Sequence, residues 1–156
     1  MQKSWVEKLH NAKGLPKIVK LDKKASARWG SRGGTREFST MYIPCPMDVY
    51  AVMEKVPKGK LITISEIRQI FAKKHKTAIS CPLTTGIFSF IAANAADEED
   101  KKMPYWRTLK TGGEVNPKYP GGVEKQKKLL EDEGHKVITK GKRTIVADFE
   151  KALYEL

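Results

Sequence analysis

The spacing of apolar residues divides the chain into short helices separated by glycine, proline and charged runs. Trp5, Val6, Leu9 and Ala12 fall on one face of a helix within residues 2–13, with Ser4 as its N-cap and Gly14 and Pro16 ending it. Met47, Val49, Tyr50, Met53 and Val56 recur at helical spacing from Pro46 to Val56. A turn, Pro57-Lys58-Gly59-Lys60, leads into a short extended approach from Leu61 to Ile64. Ser65 then predicts an N-cap for a helix through Ala72, with Glu66 in the first turn, where the helix dipole favours a carboxylate. Pro82 sets up a further helix from about Leu83 to Asp97. Its apolar content (Ile87, Phe88, Phe90, Ile91, Ala92, Ala93) predicts that much of it is buried. After the charged loop 97–102, Arg107-Thr108-Leu109 and Glu114-Val115 are candidate strands around Thr111-Gly112-Gly113. Val123 to Glu133 predicts a helix with Gly134 just past its end. Lys136–Thr139 and Arg143–Val146 predict a hairpin around Gly141, and Asp148–Tyr154 a final helix.

Two helices joined by a turn and followed by a hairpin is the order of a winged helix-turn-helix. The expected fold class is therefore α+β, mostly helical, with a C-terminal hairpin-helix extension. With 156 residues the chain holds one ordinary domain. The expected division is a basic N-terminal helix and arm over 1–45 and the winged-helix unit over 46–156. Residues 22–37 are polar, basic and glycine-rich, and read equally as an arm lying along DNA or as a linker.

Charge narrows the partners. Lys and Arg number 30 against 18 Asp and Glu, a net +12. Residues 1–40 hold ten against three, so more than half of the surplus lies in a quarter of the chain. A polyanion is the favoured partner, and a merely solvated lysine-rich surface is the bland alternative. The predominance of lysine suits diffuse phosphate contact better than base readout. No apolar run is long enough to span a bilayer, and the start has no secretory pattern, so a cytoplasmic address and no membrane partner are expected. Cys45 and Cys81 each sit beside proline without metal-ligand spacing, and read as small buried thiols. His10, His75 and His135 are scattered, so neither a metal nor another cofactor is expected.

Three stretches carry a family resemblance: Val56-Pro57-Lys58-Gly59-Lys60-Leu61-Ile62-Thr63, then Met103-Pro104-Tyr105-Trp106-Arg107-Thr108 ahead of Gly112-Gly113, then Tyr119-Pro120-Gly121-Gly122 leading to Gln126 and Glu133-Gly134. In this order they resemble the DNA-binding domain of the alkylguanine-DNA alkyltransferases over roughly Pro46 to His135. That family's active-site motif is Pro-Cys-His-Arg-Val. Its Cys takes the alkyl group, its His acts through water as base, and a Glu orients the His. Here the family's positions are Pro104, Tyr105, Trp106, Arg107 and Glu133, with Tyr at the Cys place and Trp at the His place. Alkyl transfer to carbon demands a soft nucleophile with a lowered pKa. A phenol titrates near 10 and indole has no basic nitrogen. Glu133 has no His to orient and reads better as a structural carboxylate.

The pattern is similar to the alkyltransferase-like proteins, relatives that keep the binding fold, lack the Cys and bind alkylated guanine without repairing it. The resemblance implies a non-catalytic DNA binder, with alkylated duplex as target, a repair protein as second partner and a base flipped into an apolar pocket. Tyr105, Trp106, Tyr119 and Gly121 would wall that pocket, or Tyr105 and Trp106 would fill it. Thr63-Ile64-Ser65 stands where the family has Thr-Tyr-Gly, and Leu83-Thr84-Thr85-Gly86 where its recognition helix opens with Arg-Ala-Val-Gly; Leu83 or Ile87 could act as a wedge. The candidate DNA-binding residues are Thr63, Ile64, Ser65, Thr84, Thr85, Gly86, Lys58, Lys60, Lys110, Arg28, Arg32 and Arg36. Arg107 reads as a phosphate contact or, the favoured alternative, as a residue that orders neighbouring carbonyls. Two rivals stand beside this reading: a divergent alkyltransferase enzyme, and a protein-interaction module that has lost DNA.

Overall fold

A computed structural model of the chain describes residues 4–21, 40–100 and 102–155. Helix α1 (Trp5–His10) starts where expected: the Ser4 hydroxyl accepts the Glu7 N–H. Residues 17–20 and 40–43, which the apolar pattern left within a helix and arm, are strands. β1 (Lys17–Lys20) pairs antiparallel with β2 (Thr40–Ile43). β2 in turn pairs in parallel with β4 (Ile79–Ser80). Met41 and Tyr42 are buried, so this small sheet packs against the helical body.

Helix α2 (Pro46–Lys55) has Cys45 at its N-cap and proline at its first position, where a missing N–H costs nothing. A two-residue strand, β3 (Ile62–Thr63), runs straight into α3 (Ile64–His75). The cap is Thr63, not Ser65. The Thr63 Oγ1 accepts the Glu66 N–H, capping the helix, and donates to the Glu66 carboxylate. Ser65 lies inside the first turn of the helix.

Helix α4 (Pro82–Glu98) is the centre of the fold and packs against α1, α2 and α3. Its buried face consists of small residues: Thr85, Ser89, Ala92, Ala93, Ala95 and Ala96. Small side chains let neighbouring helix axes approach closely. The large apolar residues at its start face outward instead, with Leu83 69% and Ile87 45% exposed. The expectation of burial thus holds for Ala92 and Ala93 and fails for Ile87.

After α4, Tyr105–Arg107 is a 3-10 turn rather than the start of a strand. The strand proper, β5 (Thr108–Leu109), pairs in parallel with β3. The chain folds back at Thr111-Gly112-Gly113, with Lys110 bridging antiparallel to Glu114. Gly113 is obligatory here. Its φ is +81°, and the Phe149 ring lies so close that any Cβ would collide with it. Helix α5 (Gly122–Asp132) follows, then the hairpin β6 (Val137–Lys140) and β7 (Arg143–Val146). The expected last helix is a short 3-10 turn, Phe149–Ala152. Leu61 donates to the Ala152 carbonyl and makes a single parallel bridge with Leu153, which ends the turn in extended backbone.

The core has two parts. The larger lies among α1–α4, around Val49, Met53, Ile62, Ile67 and the alanines of α4. The smaller (Leu61, Leu109, Val115, Leu130, Val146) ties α5 and the C-terminal hairpin to β5. Among the described residues no helix is long and apolar enough to cross a membrane.

Candidate functional site

Glu133, just past the end of α5, gathers the residues after Pro104. One of its carboxylate oxygens accepts the Trp106 indole N–H at 2.6 Å. Arg107 Nε reaches both oxygens, at 2.8 and 3.0 Å. The Gly59 N–H points at it from 3.4 Å. Arg107 Nη1 extends further and donates to the Val56 carbonyl at 2.7 Å. Arg107 therefore locks the end of α2 to the 3-10 turn and to α5. With its side chain 14% exposed, it is a structural residue and not a phosphate contact.

Tyr105 is buried. Its hydroxyl donates to the Pro120 carbonyl at 3.1 Å, and its ring meets Trp106 and Tyr119 edge to face at 5.5 and 5.9 Å. Burial, with the charge of Asp97 adding, pushes its pKa to about 12. Burial also pushes Tyr119 to about 12, although Ser89 and Asn116, hydrogen-bonded to its hydroxyl, pull the other way. Both phenols are neutral at physiological pH and already engaged. The structure brings Tyr105, Trp106 and Tyr119 together as expected, but as a packed plug. Gly121 caps α5 beside them at φ +80°, with Lys125 folded over it.

The open space lies on the other side of that plug. A groove of about 470 Å³ runs between the start of α4 (Pro82, Leu83, Gly86, Ile87, Phe90), Ile64 of α3, Lys110 and Thr111 of the glycine turn, and the loop Asn116-Pro117-Lys118. Ser89 and Asn116, which bond the Tyr119 hydroxyl, line this groove too. Two lysines line it and no acidic residue does. Asn94 fixes the far wall, donating to the Phe90 and Lys118 carbonyls at 2.9 and 3.4 Å.

The predicted interface residues divide around this groove. Ile64, Gly86 and Lys110 line it. Thr63 is buried as the α3 cap, and Thr85 is buried with its hydroxyl on the Cys81 carbonyl at 2.7 Å, so neither can meet a ligand. Thr84 Oγ1 is buried without a partner. Ser65 borders a separate small hollow with Arg68 and Ser80. Lys58 and Lys60 flank Gly59 on the Glu133 side and do not reach the groove. Arg28, Arg32 and Arg36 lie outside the described residues. Among the described residues no group of three or more His, Cys, Asp or Glu side chains is placed to hold a metal.

Gln126, which the resemblance includes without a role, is central to the site. It is fully buried. Its amide donates to the Trp106 and Thr108 carbonyls at 3.2 and 3.4 Å, and its oxygen accepts the Asn116 N–H at 3.1 Å. It thereby holds the 3-10 turn, β5 and the groove loop in one frame. The signal was a polar residue on the inward stripe Val123–Gln126–Leu130 of α5, where a helix of this pattern normally carries an aliphatic side chain.

The fold has a solved counterpart. The S. pombe protein Atl1, solved in complex with damaged DNA containing O6-carboxymethylguanine, superposes with a TM-score of 0.51 at 18% identity, over 71% of this chain and 94% of that one. A second S. pombe ATL structure, also with DNA, gives 0.47 at 19% over the same shares. No protein-family model and no curated sequence matches the chain. The protein thus shares the mixed helix-and-strand fold of Atl1.

Proposed function

We propose that this protein is a non-catalytic DNA-binding protein of the alkyltransferase-like kind, with α3 and α4 as a helix-turn-helix and the glycine turn as its wing. The observation that carries this reading is the groove beside α4: an exposed Leu83 and Ile87 on one wall, Lys110 and Lys118 on the rim, and no carboxylate lining it. Lysines there would face phosphate oxygens. Leu83, at the first turn of α4, would press against base edges or between base steps, as apolar wedges do in bent duplexes. The likeness to Atl1, itself solved on damaged DNA, supports the same partner.

Alkyl transfer has no chemistry to run on here. The phenol at 105 is neutral and bound to a carbonyl, Trp106 supplies a donor where a base is needed, and Glu133 is held by both neighbours. Recognition of an alkylated guanine is a finer reading. It requires the groove, rather than the filled space at Tyr105, to receive the base.

Three measurements test the proposal. Binding to a fluorescent duplex should weaken steeply between two salt concentrations, because phosphate contacts release counterions. An O6-alkylguanine duplex should bind tighter than its unmodified twin, and equal affinities remove the lesion-selective part. Intact mass after incubation should be unchanged, and a gain of one alkyl group would make the protein an enzyme. The exposed pair Leu83 and Ile87 also suits a protein partner. Absence of DNA binding at low salt would favour that second reading. Under the first, Leu83→Ala weakens duplex binding while the melting temperature stays put, since so exposed a side chain contributes within about 0.5 kcal/mol to stability.

A further inference from the structure

The hairpin β6–β7 lies outside the stretch on which the family resemblance rests, yet it is built onto the wing. Val115 donates to the Thr144 carbonyl at 2.8 Å, and Val146 to the Gly113 carbonyl at 3.0 Å. Glu114 bridges antiparallel to Ile145. Val146 is sealed in the smaller core with Leu109, Val115 and Leu130. The hairpin therefore has a fixed position relative to the glycine turn and is no trailing appendage.

Its tip is cationic. The run Lys140-Gly141-Lys142-Arg143 is exposed and contains no acidic residue. Register places Lys140 opposite Arg143 and Ile138 opposite Ile145, so these four share one face of the ribbon. That face borders a second open groove, shared with Gly112 and Phe149. Gly112 is the hinge of the layout. Thr111, one residue earlier, lines the groove beside α4, and the Arg143 guanidinium lies over Gly112 within 3.5 Å of where a Cβ would sit. Arg143 is partly neutralised by Glu114 at 3.3 Å, and Asp148 and Glu150 also line the second groove. Lys140 and Lys142 have no acidic partner among the described residues.

We infer that the C-terminal hairpin is a second wing: Lys140 and Lys142 contact the phosphate backbone of the same duplex, beyond the stretch reached by α4 and the glycine turn. The inference rests on the DNA-binding reading above. Its physical basis is the run of cations from Lys118 and Lys110 past Gly112 to the hairpin tip, interrupted by Glu114. Glu114 pairs with Lys110 at 3.9 Å and with Arg143, and leaves Lys140 and Lys142 without an acidic partner among the described residues. A rigid β-ribbon carrying unpaired lysines contacts phosphates without selecting bases, so the gain is in affinity and footprint.

The experiment compares three full-length proteins on one unmodified duplex across a salt series: wild type, Lys140→Ser/Lys142→Ser, and Lys73→Ser/Lys74→Ser, which loses the same charge from the far end of α3. Each phosphate contact contributes about 0.9 to the slope of log affinity against log salt, so the hairpin pair should lower that slope by about 2 and the α3 pair should leave it unchanged. On a duplex shortened step by step, wild type should lose affinity at a greater length than the hairpin variant. An unchanged slope in the hairpin variant, or equal losses in both pairs, overturns the second wing while the DNA-binding reading stands. No binding by wild type at low salt overturns both. Circular dichroism of both variants should match wild type, as all four lysines are solvent-facing or at helix and hairpin surfaces.

Discussion

Glu133 holds Trp106, Arg107 and the Gly59 N–H to the end of α5. The sequence has no histidine at 106 for it to orient and reads it as a structural carboxylate. In the structure it is a staple for Trp106 and Arg107. Removing one member of a buried pair leaves the other charge uncompensated, which costs several kcal/mol. Glu133→Gln should therefore lower stability by about 3 kcal/mol, and Arg107→Ala by a similar amount. Measured well below the melting transition, neither should change duplex affinity. A loss of affinity without loss of stability in Arg107→Ala would return that residue to the interface. The tyrosines make a second prediction at this scale. Tyr105 and Tyr119 titrate near 12 when folded and near 10 when unfolded, so the unfolded chain releases these protons first. The stability they contribute is complete below pH 10 and is lost as pH rises towards 12. Tyrosinate absorbance for these residues should appear together with the loss of helical circular dichroism. A titration complete near pH 10 in a chain that is still folded would contradict the packed plug.

At the scale of elements, every helix that carries an apolar stripe was legible in the sequence, because a period near 3.6 survives in α1, α2 and α5. What failed was local and has physical causes. β1 and β2 are four-residue strands whose pairing joins segments twenty residues and more apart, and β1 is largely exposed, so no alternation marks it. Thr63 and Ser65 both suit a cap. The distance to Glu66, three residues from Thr63, decides between them, and extended backbone at Ile62–Thr63 leaves the helix to begin at once. The aromatic positions around 105 were readable, but whether they enclose a space or fill it depends on rotamers that spacing cannot encode. Gln126 offers the test here. Gln126→Leu keeps the volume but strands two carbonyls and one N–H in a dry interior, and should destabilise by about 3 kcal/mol. Because it also frees the Asn116 loop, it should broaden the amide resonances of residues 116–118 in a nuclear magnetic resonance spectrum.

For the molecule as a whole, the N-terminal helix belongs to the body of the protein. Trp5 packs edge to face on Phe90 at 4.9 Å, and the Trp5 and Val6 N–H groups bond the Glu98 carboxylate at 3.0 and 3.3 Å. α1 thus grips the middle and the C-terminal end of α4, and the Phe90 it packs on also lines the groove. Deleting residues 1–13 should lower the melting temperature by several degrees and weaken duplex binding indirectly, by letting α4 shift. A deletion that left thermal stability intact would show that α4 is held by α2 and α3 alone.

The carboxylate at 133 also bears on what a thiol placed at 105 could do. A sulfur introduced by Tyr105→Cys would be an inert thiol: its neighbour Trp106 has no basic nitrogen, and the Glu133 carboxylate is tied to that indole. The same change would hollow out the aromatic cluster and release the Pro120 carbonyl from its donor. A reactive thiolate at 105 would need a base beside it, so Tyr105→Cys without Trp106→His supplies no nucleophile.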